Sequence, residues 1–200
     1  MFKLYEFATS GNCYKLRLAM SLLGIEFERQ QIDITKGESR TPEFLNINPN
    51  GRVPVLETPD HQYLPESNAA LWYLAMDTGL LPKGKFEQAQ ALQWMFFEQY
   101  SHEPFIATSR YWVHILNQAD QYEAQLSEKR PKGYEALQVM EDHLSKHDFF
   151  VGDQMSVADI ALYAYTHVAH EGGFDLSPYL AIQKWFKRIE QLEHYVAIGA

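Results

Sequence analysis

A proline follows a valine at the start of a short apolar run in the stretch NGRVPVL, residues 50–56. Because proline has no N–H to give to a sheet ladder, it marks the entrance or the edge of a β-strand. A cis Val53–Pro54 bond would turn the chain sharply and expose the N–H and C=O of Val53. Those two groups could then pair with an extended peptide, as an added strand would. A trans proline that simply opens a strand explains the same residues.

The segments on either side of this stretch predict a mixed α/β layer. Strand-like runs occupy residues 2–7, 27–34, 53–56 and 62–64. Between the first two, Leu16, Ala19, Met20 and Leu23 recur at the spacing of a helix with one buried face, and Gly24 is placed to end that helix. A short helix or turn is expected over residues 42–47, and a helix capped by Ser67 over residues 67–77. Strands mixed with helices, the last two strands forming a hairpin, predict a mixed four-stranded sheet.

The second half of the chain predicts only helices. Residues 80–85, with Pro82 and Gly84, have the composition of a linker, and strand patterns fade beyond them. Helical stretches follow at residues 86–116, 121–147, 156–170 and 178–192. Pro104 should kink or split the first of these, and Pro131 should interrupt the second. We therefore predict an α/β domain over residues 1–79 and an all-helical domain over residues 86–200, with every strand before the linker.

Composition excludes several classes of function. The chain has 200 residues and a net charge of −9, and such an acidic surface repels phosphate backbones, so no nucleic-acid partner is expected. Cys13 is the only cysteine, which rules out an internal disulfide and fits a reducing compartment. Charged residues interrupt the apolar stretches near the start, and no run of about 18 apolar residues exists, so neither a signal peptide nor a membrane span is expected.

Two turns that precede helices carry candidate binding groups. In TSGN, residues 9–12, Ser10 or Asn12 could cap the first helix. A helix N-terminus presents unpaired N–H groups and partial positive charge, which lower the pKa of a nearby thiol, and the Ser10 hydroxyl could itself reach a sulfur. In PESN, residues 65–68, Ser67 as N-cap leaves N–H donors for a ligand carboxylate, and Glu66 could bind a ligand ammonium. Ordinary helix capping explains both turns equally well.

A fourth motif predicts a structural feature, the start of a helix. In FVGDQMSVAD, residues 150–159, Ser156 and Asp159 have the spacing of a capping box, with Asp replacing the usual Glu or Gln. Met155 and Ile160 could form a hydrophobic staple across the same helix start. We therefore expect this motif to begin a helix and to take no part in an active site.

In this order and spacing, the four features resemble the glutathione transferase superfamily across nearly the whole chain, the run GD-x-x-S-x-A-D being the most specific match. The resemblance implies a thioredoxin-like N-terminal domain, a helical C-terminal domain and a homodimer. It implies a cis bond before Pro54 and binding of the cysteinyl part of glutathione at Val53. It implies that Glu66 and Ser67 bind the γ-glutamyl end of glutathione and that Arg52 lies at the glycyl end.

The resemblance offers two candidates for activating the sulfur. Ser10 matches the serine-type position, in register with the Lys15-x-Arg17 that follows it. Asn12 is the second candidate, because an asparagine near this turn does the work in a further bacterial group. The tetrapeptide SGNC, residues 10–13, falls where a redox Cys-x-x-Cys would lie, and its serine argues against dithiol chemistry.

The implied function is a cytoplasmic glutathione transferase active in detoxification, which joins the thiolate of glutathione, its co-substrate, to a small hydrophobic electrophile. The long helix after the linker lines the electrophile cavity in this family, so His102, Arg110 and Trp112 are candidates there, although core packing or a dimer interface explains them equally well. No cofactor is implied. We expect no metal either, because neither His143 with His147 nor the pair His167 and His170 is accompanied by a cysteine cluster or a His-Glu-x-x-His motif.

Two alternatives stay open. A glutathione-dependent disulfide or peroxide reductase would use the same glutathione site with a different second substrate. A binding or regulatory protein would keep this fold without turnover, but the intact Val53-Pro54 and Glu66-Ser67 pairs argue against that.

Overall fold

A computed structural model describes residues 1–200, which divide into two units. The first unit comprises residues 1–77 together with residues 192–200, and the second comprises residues 78–191. The predicted boundaries therefore need one correction, since residues 192–200 were expected in the helical domain. They instead group with the α/β unit, where the carbonyls of His194 and Val196 accept hydrogen bonds from Ser21 and Tyr14, both at 2.7 Å.

The first unit contains a four-stranded mixed sheet, as predicted. Its strands are β1 (Phe2–Glu6), β2 (Phe27–Gln31), β3 (Val55–Glu57) and β4 (Tyr63–Pro65), in the spatial order β2-β1-β3-β4. β1 pairs with β2 in parallel and with β3 antiparallel, and β3 pairs with β4 antiparallel. β2 ends earlier than predicted because Asp33 accepts a hydrogen bond from the Thr35 N–H and starts a 3-10 turn. This is the thioredoxin-like sheet that the sequence implies.

Three helices complete the α/β unit, namely α1 (Gly11–Leu22), α2 (Pro42–Ile47) and α3 (Ser67–Ala75). α1 is buried along most of its length, with Leu16, Leu18 and Met20 fully inaccessible. It ends where predicted, because Gly24 takes a left-handed φ of 64° that the helix could not continue.

The second unit is all-helical and no strand follows Pro65, which confirms the predicted division of strands and helices. Its helices are α4 (Lys85–Phe97), α5 (Glu103–Arg110), α6 (Glu123–Leu144), α7 (Val157–Thr166) and α8 (Leu180–Glu190). A π-helical turn, Glu98–His102, separates α4 from α5. Because Pro104 has no N–H for the carbonyl four residues earlier, the helix is split there, as expected. No helix combines the length and the apolar content that crossing a membrane requires.

One prediction about this unit is wrong, since α6 continues through Pro131 without interruption. An interior proline costs a helix about 3 kcal/mol. Buried residues on both sides of it, Leu126 before and Leu137 and Met140 after, anchor the helix against that cost. Gly133 adds close packing, because a Cβ there would lie 2.4 Å from the ring of Phe174.

Candidate functional site

The register of the sheet brings three turns to one edge. Val55 at the start of β3 pairs with Tyr5 near the end of β1 and with Pro65 at the end of β4. The chain therefore enters β3 through Val53 and Pro54 at the same end at which β1 runs on toward Ser10 and β4 runs on toward Glu66. The three motifs that the sequence singled out in this unit consequently meet at one edge.

The first turn places Ser10 at the start of α1. Ser10 is the N-cap, half-buried, and its Oγ accepts a hydrogen bond of 3.4 Å from the Cys13 N–H. A hydroxyl that accepts a cap bond still has its own proton to donate. Capping and donation to a ligand are therefore compatible at Ser10, although the sequence presents them as alternatives.

The second turn contains a cis bond between Val53 and Pro54, as expected. No hydrogen bond within the protein uses the N–H or C=O of Val53, so both remain open to an extended ligand. Pro54 is buried and Arg52 is exposed. The nearly inaccessible Asn48, which the sequence did not single out, holds this loop: its Nδ2 donates to the Arg52 carbonyl at 2.8 Å, and its Oδ1 accepts from the Asn50 N–H at 3.1 Å.

The third turn starts α3 differently from the prediction. Glu66, and not Ser67, is the N-cap, with a left-handed φ of 69° and no side-chain cap bond. Ser67 is the first residue of the helix because its buried hydroxyl is bonded elsewhere, donating to Asn12 Oδ1 at 3.0 Å. The Ser67 N–H has no intrahelical acceptor, since the first N–H groups of any helix lack one. The Glu66 carboxylate beside it is exposed.

A buried lysine connects the first and third turns. Lys15 on α1 has no accessible surface, and its Nζ donates to Ser67 Oγ at 3.4 Å and to Asn68 Oδ1 at 3.1 Å. Together with the Ser67 bond to Asn12, these contacts form one network. In the sequence analysis Lys15 served only to align Ser10 with the serine-type position of the family. The signal that could have found it is a charged residue four positions before Ala19, on the apolar stripe of α1.

Cys13 is expected to be an unreactive thiol. Its side chain is fully buried, and its Sγ accepts a hydrogen bond of 3.4 Å from the Phe7 N–H. Burial raises the pKa of the thiol to about 12, so it stays protonated at neutral pH. Because the thiolate is the reactive form of cysteine, the protein supplies no sulfur nucleophile of its own at this edge.

The three residues proposed for the electrophile all have partners in the helical unit. His102 is fully buried and its Nε2 lies 2.9 Å from Thr166 Oγ1. Arg110 is also buried, and its Nε pairs with Glu171 at 2.5 Å. The half-buried Trp112 stacks flat on Tyr122 with the ring centroids 4.5 Å apart. Packing accounts for all three positions, and a role in binding an electrophile stays a prediction.

No group of three or more histidine, cysteine, aspartate or glutamate side chains has the geometry to hold a metal ion. In each of the two candidate pairs, a histidine stacks on an aromatic ring. His143 stacks on His147 with centroids 4.6 Å apart, and His167 stacks on Tyr163. Burial lowers the pKa of His167 to about 4, so its ring is neutral at physiological pH.

Two family models cover almost all of this chain. The model described as "Glutathione S-transferase, N-terminal domain" matches residues 9–76, and that described as "Glutathione S-transferase, C-terminal domain" matches residues 72–193. The chain belongs to the glutathione S-transferase family. The two models overlap at the end of α3, close to the boundary between the two structural units after Asp77.

Known proteins similar to this chain have different names. A glutathione S-transferase structure from Pseudomonas fluorescens is 47% identical with a TM-score of 0.96, covering 98% of both chains. A homologue from Lodderomyces elongisporus, crystallised with two GSH per subunit, is 25% identical with a TM-score of 0.86, covering 96% of this chain and 94% of the other. The disulfide-bond oxidoreductase YfcG of Escherichia coli K12 is 29% identical, covering 94% of this chain and 90% of the relative.

Proposed function

We propose that this protein binds glutathione at the edge where the three turns of the α/β unit meet, and transfers its thiolate to a small hydrophobic electrophile. The observation that carries the proposal is the convergence there of an unpaired Val53 backbone, the N-terminus of α3 and the N-terminus of α1. The first can hold an extended peptide, the second a carboxylate and the third a thiolate.

Each part of glutathione then has a partner. The N–H and C=O of Val53, beside Pro54, pair with the cysteinyl backbone. The Ser67 N–H at the start of α3 binds the γ-glutamyl carboxylate, and the exposed Glu66 carboxylate binds the neighbouring ammonium. The exposed Arg52 is the cation closest in sequence to Val53, and we assign it to the glycyl carboxylate.

Thiol activation is assigned to Ser10, with Asn12 as the second candidate. A free thiol with a pKa of about 8.5 is only a few per cent ionised at neutral pH. A hydroxyl donor at a helix N-terminus favours the thiolate through a hydrogen bond to the charged form and through the helix dipole. Asn12 could act through Nδ2, because an amide nitrogen is a hydrogen-bond donor.

The electrophile is assigned to residues of the helical unit, for which His102, Arg110 and Trp112 remain the candidates. Of the three, Trp112 is the strongest, because it is only half-buried and an aromatic ring suits an apolar substrate. No cofactor or metal is needed for this chemistry. A cytoplasmic location and a role in detoxification are part of the same proposal, since the cytosolic glutathione pool is kept reduced.

A glutathione-dependent reductase is the second candidate, favoured by the similarity to a disulfide-bond oxidoreductase. Because Cys13 is buried and protonated, both thiols would have to come from glutathione. One glutathione thiolate would attack a substrate disulfide and release one substrate thiolate, leaving a mixed disulfide. A second glutathione thiolate would then attack that mixed disulfide, giving oxidised glutathione and the other substrate thiolate.

Calorimetry with glutathione tests the binding site. Glu66→Ala should raise the dissociation constant about tenfold, the effect of losing one hydrogen bond between charged groups. Glu43→Ala, which removes an exposed carboxylate from α2, should leave the dissociation constant unchanged. Equal affinity in the wild type and Glu66→Ala would remove Glu66 from the site. A screen of electrophiles, peroxides and mixed disulfides then separates transferase from reductase.

A further inference from the structure

Asn48 is a buried amide whose two ends bind opposite kinds of backbone group. It follows α2 and is only 3% exposed. Its Nδ2 donates to the Arg52 carbonyl at 2.8 Å, and its Oδ1 accepts from the Asn50 N–H at 3.1 Å. Because a carbonyl only accepts and a backbone N–H only donates, the amide has a single orientation that satisfies both. Burying it without these partners would be costly.

The bond from Asn48 to Arg52 also orients the N–H of the next residue. The peptide bond between Arg52 and Val53 is trans, so its atoms lie in one plane, with the Arg52 C=O and the Val53 N–H pointing in opposite directions. Holding the carbonyl on Asn48 therefore directs the Val53 N–H away from Asn48. No hydrogen bond within the protein uses that N–H, so it is a fixed donor that a ligand can reach.

We propose that Asn48 is a positioning residue for the peptide part of glutathione. By holding the Arg52 carbonyl, it directs the Val53 N–H at the cysteinyl carbonyl of the ligand. This inference rests on the proposed glutathione site. Asn48 acts through Arg52 and Val53, since the amide itself is nearly inaccessible.

Other bonds also hold this loop, and they supply a control. The Gly51 N–H donates to the Asn48 carbonyl at 2.8 Å, and Arg40 Nη1 donates to the Asn50 carbonyl at 2.9 Å. Neither bond involves the peptide plane between Arg52 and Val53. A change at Arg40 therefore weakens the same loop without releasing that plane.

The competing explanation is that Asn48 only stabilises the loop, while the packing of the buried Pro54 positions Val53. In that case losing the amide lowers stability and affects every ligand of the site equally. A positioning role predicts instead a selective loss for ligands that carry the cysteinyl carbonyl. The decisive quantity is therefore a ratio of two affinities.

The test compares two probes, glutathione and the isostere in which a trans C=C bond replaces its cysteinyl–glycyl peptide bond. The isostere has the same charges but lacks the carbonyl that the Val53 N–H is proposed to bind. Dissociation constants are measured by calorimetry at pH 8, where a carboxylate is ionised, for the wild type, Asn48→Asp and Arg40→Met. Asn48→Asp keeps the acceptor for the Asn50 N–H and replaces the donor to Arg52 with a second acceptor.

We expect the wild type to prefer glutathione over the isostere by about threefold to tenfold, the effect of one hydrogen bond between uncharged groups. Asn48→Asp should remove most of this preference, and Arg40→Met should keep it. Because both probes have the same charges, the charge that each variant changes affects them equally. A full preference in Asn48→Asp overturns the proposal, whatever its melting temperature, and so does an equal loss of preference in Arg40→Met.

A second variant covers the case in which Asn48→Asp gives no cooperative unfolding transition. Asn48→Ala removes the amide without burying a charge, and it should also lower the preference for glutathione. An unchanged preference there overturns the proposal. A wild type that binds neither probe overturns the proposed function itself, whereas a wild type that binds both equally overturns only the role of Asn48.

Discussion

At Ser10 the same side chain caps a helix and is proposed to activate a thiol. Its Oγ accepts the Cys13 N–H and thereby caps α1, while its proton remains to be donated to a glutathione sulfur. The cap also determines where the hydroxyl sits, at the positive end of the helix dipole. A variant at this position should therefore reveal two separate effects.

Ser10→Ala should cut turnover about tenfold to a hundredfold and leave glutathione affinity nearly unchanged, because a hydrogen bond to a thiolate is worth roughly 1.5–3 kcal/mol. It should also lower the free energy of unfolding by about 1 kcal/mol through the lost cap. Steady-state kinetics with a pH-rate profile and thermal unfolding of the same variant measure the two effects. Full activity in Ser10→Ala together with lost activity in Asn12→Ala would transfer the role to Asn12.

At the scale of the element, the start of α7 depends on a single buried carboxylate. Asp159 accepts hydrogen bonds from the N–H and the hydroxyl of Ser156, both at 2.9 Å, which confirms the predicted capping box. It also accepts from the Phe150 N–H at 3.1 Å and from Trp185 Nε1 on α8 at 2.9 Å. The motif therefore fastens α7 to α8 and to the preceding loop, and it lies outside the proposed glutathione site.

Asp159→Ala should lower the free energy of unfolding at pH 7 by about 3 kcal/mol or more, because it leaves several buried donors without an acceptor. Asp153→Ala is the matched control, since that aspartate lies exposed in the same loop. Chemical denaturation of both variants measures the difference. A loss below about 1 kcal/mol in Asp159→Ala would show that water replaces the carboxylate.

The same carboxylate should make stability depend on pH. Burial raises the pKa of Asp159 from 3.8 to about 6. Between these two values the unfolded chain has released its proton and the folded chain has not, so the contribution of Asp159 to stability falls as pH rises through this window. The stability lost in Asp159→Ala should therefore be larger at pH 4 than at pH 7. Denaturation at both pH values measures this, and an equal or smaller loss at pH 4 would contradict the raised pKa.

At the scale of the whole molecule, the last residues belong to the α/β unit and not to the helical one. The nearly inaccessible Arg17 is paired with the buried Glu6 at 2.6 Å and donates at 2.7 Å to the carbonyl of Ile198. Tyr14 and Ser21 on the same helix also donate to carbonyls of this segment. The segment thus covers polar groups of α1 that would otherwise lose their partners.

Removing residues 192–200 should lower the free energy of unfolding of the α/β unit by about 3 kcal/mol, the sum expected for three such hydrogen bonds, one of them charged. Removing only residues 199–200 is the control, because it deletes the exposed bond from Arg29 to Ala200 and keeps those made by α1. Hydrogen exchange in α1 together with denaturation measures both. If α1 were equally protected from hydrogen exchange in the longer truncation, residues 192–200 would not stabilise the α/β unit.

The homodimer expected from the family resemblance is also a prediction about the whole molecule. Exposed apolar residues of the helical unit support it. Leu92, Phe96 and Tyr100 follow one another at intervals of four and form one stripe, and Phe96 and Tyr100 are 68% and 85% exposed. Phe96→Glu should give a 23.2 kDa particle by light scattering, whereas Leu180→Glu, an exposed position on α8, should leave the dimer intact. A wild type that scatters as a monomer at micromolar concentration would refute the dimer.

The residues alone left the bond before Pro54 open, and only the family resemblance implied the cis form that the structure shows. The sequence by itself determined the order of strands and helices, the split at Pro104 and the capping box at Ser156. These features depend on short-range patterns and on the chemistry of neighbouring residues, which one chain displays directly. It also pointed to Ser10, Val53, Glu66 and Ser67, whose functional roles are still to be measured.

Only the tertiary structure decided how distant residues share their polar groups. The bond that Ser67 accepts from Lys15 and the one that it donates to Asn12 span 52 and 55 positions, and the bond from Tyr14 to Val196 spans 182. The same packing keeps α6 intact through Pro131 and moves the N-cap of α3 from Ser67 to Glu66. No local pattern records such choices, because a buried polar group is satisfied by whichever partner the fold brings to it.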